Sequence, residues 1–308
     1  MSRRRSAIAS SPIGAPISIG SRCARRADHE HRTDMLLKDR NIIVTGAAQG
    51  IGAGIARTLT AHGANVCIVD LQEEALLTQA RDLGALPISA DISTETGIST
   101  VVETVVKERG GIDAIVNNAA PGRDKKVVGE LTDTDWEPHA DVVLRAVIGL
   151  TNEARPHMRP GSSIVNISSI VGSAIAEDQC SLSYHMSKAG LDHLTRYLAC
   201  HLGPSGIRVN GIAPGLVQRT NAPLHADHPS MAKVMESTIP LGRAGTDSDI
   251  GDAAAFLCSD LSHYISGQLL TVDGGLGARE VLGAAIRMTR YLDNPLVEFS
   301  GSTIKRSK

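Results

Sequence analysis

The sequence predicts a protein of the α/β class: one doubly wound domain with a seven-stranded parallel sheet flanked by helices on both faces. From Asn41 onward, short runs rich in β-branched residues alternate with longer helical stretches, which is the pattern of repeated βαβ units. Seven of the 308 residues are aromatic (two Phe, four Tyr and one Trp), so Ala, Val, Ile and Leu must fill the core, as is common beside parallel sheets.

The strands predicted from these runs follow one another along the chain. They span residues 41–45, 65–70, 86–90, 114–117, 163–168, 208–212 and 268–272. Right-handed crossovers between parallel strands place helices on both faces of the sheet and put the ligand crevice beyond the carboxyl ends of the strands. We therefore expect the functional residues to lie in the loops that follow these strands.

The folded domain is expected to cover residues 35–275, with a segment on either side of it. Residues 1–34 contain seven arginines and no acidic residue before Asp28, and we expect them to be a disordered extension outside the domain. This extension is either an organelle transit peptide or an extended start upstream of Met35, and the second explanation is favoured. Residues 276–308 form a tail in which residues 280–292 could form an amphipathic helix.

The composition argues against several classes of function. A formal net charge of −2 provides no bulk attraction to nucleic acid or to an acidic membrane surface. The five cysteines are widely spread and contain no Cys-x-x-Cys motif, which argues against a disulfide framework or a zinc site and favours a reducing, cytoplasmic location. No uninterrupted apolar stretch approaches the length of a membrane span. We expect no nucleic-acid partner, no membrane partner and no metal.

A glycine-rich turn follows the first predicted strand and opens the next predicted helix. It contains Gly46, Gln49, Gly50, Ile51 and Gly52. Glycines permit a tight turn and let backbone N–H groups approach a pyrophosphate, whose negative charge is favoured at a helix N-terminus. The pattern predicts a dinucleotide-binding loop, and the alternative is a tight turn that binds nothing.

An acidic residue, Asp70, ends the second predicted strand about 20 residues after this turn. A carboxylate at this place accepts hydrogen bonds from the adenosine ribose and repels a 2′-phosphate. Gln49 supplies no cation for such a phosphate, so the sequence favours NAD over NADP. The alternative is that Asp70 caps the helix that follows.

Tyr184 and Lys188 are four residues apart, so they share one face of a predicted helix and can interact. A neighbouring ammonium group favours the phenolate form of a tyrosine, which could then act as a general acid/base. Ser168 and Ser169 lie where the fifth predicted strand runs out into the crevice, and a hydroxyl group there could orient a substrate oxygen. The alternative for either serine is that it only caps the end of the strand.

These motifs, taken in order, resemble those of the short-chain dehydrogenase/reductase family, whose members have a Rossmann-type domain. The resemblance covers roughly residues 37–275. It rests on the glycine turn, Asn117-Asn118-Ala119, Tyr184-x-x-x-Lys188 and Pro214-Gly215.

The resemblance implies a role for each motif residue. Tyr184 would be the general acid/base, Lys188 would also hold the nicotinamide ribose, and Ser169, three residues before Gly172, matches the catalytic serine of the family better than Ser168. The residues implied to contact the cofactor outside the glycine turn are Asp70, Asp91, Ile92, Asn118, Ala119, Tyr184, Lys188, Pro214, Gly215 and Val217.

The chain departs from the family pattern in three places. Val143 stands where the family commonly has an asparagine that holds a water between the catalytic lysine and solvent, and a valine side chain cannot form that hydrogen bond. His139 or His185 could substitute as a proton relay. Ala120 replaces a usual glycine, and the threonine expected after Pro214 is displaced to Thr220.

The sequence therefore predicts an NAD-dependent oxidoreductase that transfers a hydride between NAD(H) and a secondary alcohol or ketone, with Tyr184 as the acid/base. A preference for NAD favours the oxidation direction, because cells usually keep NAD oxidised. The alternative is an NAD-binding protein with weak or no turnover, in a regulatory or scaffold role, because Val143 replaces the family's asparagine.

Two further expectations concern partners. The connection over residues 218–240 suits a lid over an apolar substrate pocket, although its apolar side chains could equally pack the lid onto the core; they are Leu224, Met231, Val234 and Met235. The resemblance implies a homo-oligomer, either a tetramer or a dimer. A stripe of leucines after Lys188 could serve that interface or could cover the sheet; it consists of Leu191, Leu194, Leu198 and Leu202.

Overall fold

The computed structural model describes residues 35–122, 126, 129–176, 180–218, 229–279 and 285. These residues all belong to one compact unit, Met35–Lys308. The extension predicted over residues 1–34 lies outside the described residues, as do Thr220, Leu224, the side chain of Met231 and, apart from Ala285, the helix predicted over residues 280–292.

Within these residues the strands form a seven-stranded parallel sheet and a short two-stranded sheet. In chain order the strands are β1 (Asn41–Thr45), β2 (Asn65–Asp70), β3 (Leu86–Ser89), β4 (Ile112–Asn117), β5 (Met158–Ile167), β6 (Arg208–Pro214), β7 (Val217–Gln218), β8 (Gly245–Thr246) and β9 (Leu269–Val272). The large sheet has the order β3-β2-β1-β4-β5-β6-β9, and β7 pairs with β8. The predicted fold class is confirmed, because the strand order reverses between β1 and β4 as in a doubly wound sheet.

Helices connect these strands across both faces of the large sheet. They are α1 (Gly50–Ala61), α2 (Glu73–Leu83), α3 (Glu95–Arg109), α4 (Asp133–Ala140), α5 (Ala146–Ala154), α6 (Leu182–Leu202), α7 (Pro229–Thr238) and α8 (Asp247–Cys258). Over the described part of the chain, no helix is both long enough and apolar enough to cross a bilayer.

Two apolar cores cover the two faces of the sheet. Successive residues of a strand point to opposite faces, and β1 follows this rule: Ile42 and Val44 belong to one core, and Ile43 belongs to the other. Side chains of α1, α2 and α8 fill the first core, and side chains of α3, α5 and α6 fill the second. The helices therefore hold the sheet from both sides and leave its carboxyl edge open.

The leucine stripe of α6 faces this second core. Leu191, Leu198 and Leu202 are buried there, and the partly buried Leu194 packs against them. The interpretation of the stripe as an interface between subunits is wrong, because α6 packs directly on the sheet and its apolar face is already covered within one chain.

A single helical run connects β4 with β5 and changes its geometry part-way. Between α4 and α5, residues Asp141–Arg145 form a π-helical turn, in which the N–H of Ala146 donates to the carbonyl of Asp141. Pro138, inside α4, has no N–H to donate to the helix ladder. Single π turns of this kind are found mostly within α-helices and often near functional sites.

A line of buried hydrogen bonds connects the centre of the sheet to α6. Asn117 Nδ2, at the end of β4, donates to Asn166 Oδ1 at 2.8 Å, and Asn166 Nδ2 donates to Thr195 Oγ1 at 2.9 Å. The hydroxyl of Thr195 then donates to the carbonyl of Leu191 at 2.8 Å. Because each polar group in the line has a partner, it fixes the position of α6 against β5 without leaving an unpaired group in the core.

We expect Thr195→Val to destabilise the fold. Valine keeps the shape of threonine but leaves the Asn166 amide without its acceptor, so the free energy of unfolding should fall by about 1–3 kcal/mol in urea denaturation. Thr100→Val on α3 is the matched control, because the Thr100 hydroxyl is exposed and bonds only its own helix at Thr96 O. Equal losses for the two variants would show that the buried line contributes nothing to stability.

Candidate active site

A cavity of about 1220 Å³ lies at the carboxyl edge of the large sheet. Its walls come from the segments that follow β1, β2, β3, β4, β5 and β6, together with part of the helical run that contains α4. Ligand cavities usually have volumes of about 300–1,000 Å³, so this one has room for a dinucleotide and a small substrate together. The predicted catalytic residues and the predicted cofactor contacts line this cavity, whereas His139 and His185, the two histidines considered as relays, are not among its lining residues.

The glycine turn closes tightly against the end of β4. Gly46 has a left-handed backbone, with φ of +65°, and a Cβ on Gly52 would lie 2.1 Å from Gly46 O. A side chain at residue 52 would therefore push the turn open. The turn leads directly into α1, whose N-cap residue Gln49 makes no side-chain capping bond. The first N–H groups of α1 can accordingly receive an anion.

Hydrogen bonds between Thr45 and Asn118 tie the glycine turn to the end of β4. Asn118 Nδ2 donates to Thr45 O and Gly46 O, both at 2.9 Å. The Thr45 hydroxyl accepts from the backbone N–H groups of Asn118 and Ala119, both at 3.1 Å. Because β1 and β4 are the strands at which the sheet order reverses, this clamp fixes the floor of the crevice.

Asp70 supports the glycine turn from the end of β2. Its Oδ2 accepts from Ala48 N at 3.0 Å, and its Oδ1 accepts from Gln72 N at 3.1 Å. The alternative that Asp70 caps α2 is wrong, because the N-cap position of that helix is Gln72. Its carboxylate lines the cavity with its two oxygens oriented by the backbone.

The remaining predicted contact residues lie around the same cavity. Asp91 follows β3 and turns the chain into α3, its Oδ1 accepting from Ser93 N at 2.9 Å. Ile92, Pro214, Gly215 and Val217 also line the cavity. Ala120, in the position that is usually glycine, lines it as well.

The two serines at the end of β5 have different surroundings. Ser168 Oγ is buried and donates to the carboxylate of Asp192 on α6. Ser169 Oγ accepts from Val171 N at 3.4 Å, and Ser169 lines the cavity. Among the described residues no acceptor takes the Ser169 hydroxyl hydrogen, so Ser169 is the serine that can donate to a bound molecule.

Tyr184 and Lys188 meet on the buried side of α6. Ser181 caps this helix by accepting from Tyr184 N, so Tyr184 lies in its first turn. Lys188 Nζ is 5.7 Å from the centre of the Tyr184 ring and donates to Ile167 O at 2.8 Å. Both side chains line the cavity beside Ser169. A hydroxyl donor, a phenol and an ammonium group therefore converge on one place.

Known proteins are similar to this chain in sequence and in fold. A family model described as "Enoyl-(Acyl carrier protein) reductase" matches residues 46–277. The 3-oxoacyl-[acyl-carrier-protein] reductase FabG of Chlamydia muridarum is 37% identical over 249 residues, which make up 78% of this chain and 98% of that protein. The chain belongs to the short-chain dehydrogenase/reductase family.

Another curated relative and a solved structure are similar to this chain over nearly their whole length. The cis-4-hydroxycyclohexanecarboxylate dehydrogenase of Sinomonas cyclohexanicum is 37% identical over 247 residues, which cover 78% of this chain and 97% of that protein. The solved structure of 3-ketoacyl-(acyl-carrier-protein) reductase from Brucella melitensis complexed with NADH has a TM-score of 0.70 and 29% identity, covering 78% of this chain and 98% of that chain. As a member of this family of nicotinamide-dependent oxidoreductases, the chain is an enzyme.

In this short-chain dehydrogenase/reductase the helical run at α4 divides its side chains between the crevice and the core. One face lines the cavity with side chains three or four positions apart, namely Thr134, Glu137, Pro138, Asp141 and Val142. The sequence analysis missed this wall, although that spacing would have revealed it.

Val143 is fully buried in the apolar core with Ile115 and Leu191. An asparagine in its place would bring an amide into apolar surroundings.

Asp192 is a second feature that the sequence analysis missed. It is buried one helical turn after Lys188, where it accepts from Ser168 and where a Cβ on Gly172 would lie 2.6 Å from its Oδ2. Burial raises the pKa of the Asp192 carboxyl, although the Ser168 hydroxyl, Arg196 and Lys188 act in the opposite direction. Asp192 thus anchors the loop after β5 to α6, although its carboxyl group is removed from water.

We expect Asp192→Asn to change how stability depends on pH. A raised pKa means that the folded protein retains this proton at a pH where the unfolded chain has released it, so wild-type stability falls as pH rises above the ordinary aspartate value of about 4. Asparagine still accepts from Ser168 but does not ionise. The variant should therefore gain stability relative to the wild type as pH rises from about 4 to the raised pKa, by about 1.4 kcal/mol per unit of the raise.

Urea denaturation of both proteins at a series of pH values measures this difference. Asp252→Asn on the exposed face of α8 is the control for the loss of one surface carboxyl. If the difference between Asp192→Asn and the wild type stays constant with pH, burial does not perturb this group.

Proposed function

We propose that this enzyme transfers a hydride between NAD(H) and a secondary alcohol or ketone, with Tyr184 as the general acid/base. The observation that carries the proposal is the convergence of Ser169, Tyr184 and Lys188 in the cavity whose floor is the glycine turn. Each of these side chains can act on a substrate oxygen or on its proton, which is what carbonyl and alcohol chemistry requires.

The residues around the cavity fit a dinucleotide. Residue 52 lies too close to Gly46 O to carry a Cβ, so no side chain at this position covers the backbone of the turn. A pyrophosphate can therefore approach the backbone N–H groups, and the start of α1 favours the negative charge of the pyrophosphate. We infer that the glycine turn residues Gly46, Gln49, Gly50, Ile51 and Gly52 hold the pyrophosphate. The adenosine end would contact Asp70, Asp91 and Ile92, and the nicotinamide end would contact Asn118, Ala119, Tyr184, Lys188, Pro214, Gly215 and Val217.

The chain's own residues supply the proton and the orientation. When bound, the nicotinamide accepts or supplies the hydride. Ser169 donates its hydroxyl hydrogen to the substrate oxygen and so fixes the carbon that reacts. In oxidation Tyr184 takes the proton of the alcohol oxygen, and in reduction it returns one. Lys188 lies beside the phenol, with its Nζ 5.7 Å from the centre of the Tyr184 ring.

The names of the relatives suggest where to look for the substrate. Those relatives include a 3-oxoacyl-[acyl-carrier-protein] reductase and a cis-4-hydroxycyclohexanecarboxylate dehydrogenase. A panel should therefore contain acetoacetyl-CoA, 4-hydroxycyclohexanecarboxylate, and longer apolar secondary alcohols and ketones. Turnover is followed by the absorbance of the reduced nicotinamide. NAD binding without turnover of any of them would favour the alternative of a regulatory or scaffold protein.

We expect Tyr184→Phe to separate chemistry from binding. Loss of the phenol hydroxyl should lower kcat by about 10²- to 10⁴-fold, the usual contribution of general acid–base catalysis, and should leave NAD affinity nearly unchanged. Tyr264→Phe is the control, because 96% of the Tyr264 surface is exposed and Tyr264 does not line the cavity. Comparable turnover in Tyr184→Phe and the wild type would remove Tyr184 from the acid/base role.

We expect NAD(H) to bind at least about tenfold more tightly than NADP(H), because the Asp70 carboxylate opposes the 2′-phosphate and Gln49 offers it no cation. Asp70→Asn should reduce the ratio of NAD(H) affinity to NADP(H) affinity. Calorimetric titration of both cofactors measures it, and Asp82→Asn, an exposed aspartate on α2, controls for the loss of one charge. Equal affinities in the wild type would reverse the assignment of Asp70.

We expect the enzyme to be a homo-oligomer, a tetramer or a dimer. Large apolar side chains remain exposed on the helices that cover the second core, including Ile148 on α5 and Met186 and Tyr197 on α6. Contact between copies would remove this apolar surface from water. Light scattering at micromolar concentration measures the mass, and a monomer would exclude the proposed association.

A further inference from the structure

His139 on α4 lies against the Tyr184 ring. The two ring centres are 6.0 Å apart and the ring planes meet at 81°, which is an edge-to-face contact. Only 3% of the His139 surface is exposed. The helix that carries it borders the cavity through the neighbouring residues Glu137 and Pro138.

The two ring nitrogens of His139 differ in their surroundings. Nδ1 lies 3.2 Å from the carbonyl oxygen of Asp135. A carbonyl only accepts, so in the neutral ring Nδ1 carries the hydrogen and Nε2 carries a lone pair. Nε2 is buried and has no partner among the described residues. Buried polar atoms are rarely left unpaired, so this nitrogen is suited to a water or to a group that arrives during the reaction.

His185 provides the contrast, although it follows Tyr184 directly in the chain. Its Nδ1 donates to Ser181 O at 2.8 Å, and its Nε2 accepts from Ala176 N at 3.0 Å. Both nitrogens therefore hold backbone groups, and this ring cannot take up a proton without breaking a bond to the chain. Of the two histidines considered as relays from the sequence, the geometry favours His139.

The phenol needs a route for its proton. Tyr184 is buried, and every turnover requires it to lose or regain a proton from solvent. Among the described residues His139 contacts the Tyr184 ring on α6 and the Asp135 carbonyl of its own helix, and the Asp135 carboxylate is bound to Lys126 and Thr132. A neutral imidazole can take up a proton on one ring nitrogen while it keeps a hydrogen on the other, which is what a relay requires.

We propose that His139 is a positioning and proton-relay residue for Tyr184. After substrate oxidation the Tyr184 O–H bond breaks with its electron pair left on the phenol oxygen, and the proton passes through one bridging water to the lone pair of His139 Nε2. The new Nε2–H bond then breaks to a solvent water, which restores the neutral ring. Nδ1 keeps its hydrogen on Asp135 O throughout. The proposal rests on the proposed function, since it requires Tyr184 to be the acid/base.

Two variants test this role. His139→Phe keeps an aromatic ring against Tyr184 and removes both nitrogens, whereas His139→Gln keeps a hydrogen-bonding amide that cannot take up a proton. His263→Phe is the matched control, because His263 is exposed and its Nδ1 likewise lies against a carbonyl of its own helical turn, that of Asp260. All variants are made in the full chain, and their melting temperatures and NAD affinities are compared with those of the wild type.

The first readout needs no substrate. Each protein, saturated with NAD, is mixed rapidly with alkaline buffer, and ionisation of Tyr184 is followed by tyrosinate absorbance, with Tyr184→Phe as the blank. We expect His139→Phe to slow the release of the Tyr184 proton at least about tenfold, a loss at the lower end of those typical of proton-transfer groups. An unchanged rate in folded His139→Phe would overturn the proposal, and so would a wild-type rate in His139→Gln.

The second readout uses the fastest substrate of the panel named above. We expect His139→Phe to lower kcat and to raise its solvent deuterium isotope effect, with KM changed by less than about twofold, because only proton exchange is affected. A merely structural role would leave the isotope effect unchanged. If Tyr184→Phe also keeps its turnover, the proposed function fails; if Tyr184→Phe is inactive and His139→Phe is not, the relay alone fails.

Discussion

The hydrogen bonds between Thr45 and Asn118 are the interaction on which the rest of the site depends. A doubly wound sheet opens a crevice where its strand order reverses, and at that place β1 and β4 diverge into loops on opposite faces. The Asn118 amide and the Thr45 hydroxyl keep these two loops together at the level of the sheet. Because Gly52 then packs directly on Gly46 O, the start of α1 is aimed into the crevice. The partial positive charge of the first N–H groups of α1 therefore faces the crevice because of the backbone geometry. Asp70 supports the same turn by accepting a hydrogen bond from Ala48 N.

The chemistry depends on a different set of contacts, those that hold α6. The line from Asn117 through Asn166 to Thr195 fixes the middle of this helix, and the bond from Ser168 to Asp192 fixes it next to the loop after β5. Tyr184 and Lys188 lie in the turns before these anchors, so their positions relative to Ser169 follow from groups that never touch a substrate. Polar side chains inside an apolar core would destabilise it if unpaired. Here each is paired, and together they orient the helix.

The sequence predicted the parts of this structure that have a local signal. Alternation of β-branched runs with helical stretches gave the strands, and the glycine turn with Asp70 located the crevice. The start of β5 was missed, since Pro160 and Gly161 interrupt its apolar pattern. Periodicity showed that the leucines of α6 share one face but not what covers that face, because a pattern in one helix contains no information about its neighbours. The unequal surroundings of His139 and His185 depend on contacts between α4, α6 and backbone carbonyls, which the residue types alone do not specify.

The π turn at Asp141–Arg145 makes this segment tolerant of a change in its length. A π turn uses one residue more than the α ladder for nearly the same rotation about the helix axis, so the extra residue does not turn α5 away from the sheet. Loss of a single residue within the turn would let the ladder close as an α-helix, and Val147 and Leu150 would stay in the core. Loss of a residue between Val147 and Leu150 would instead rotate the rest of α5 by about 100° and carry Leu150 out of the core.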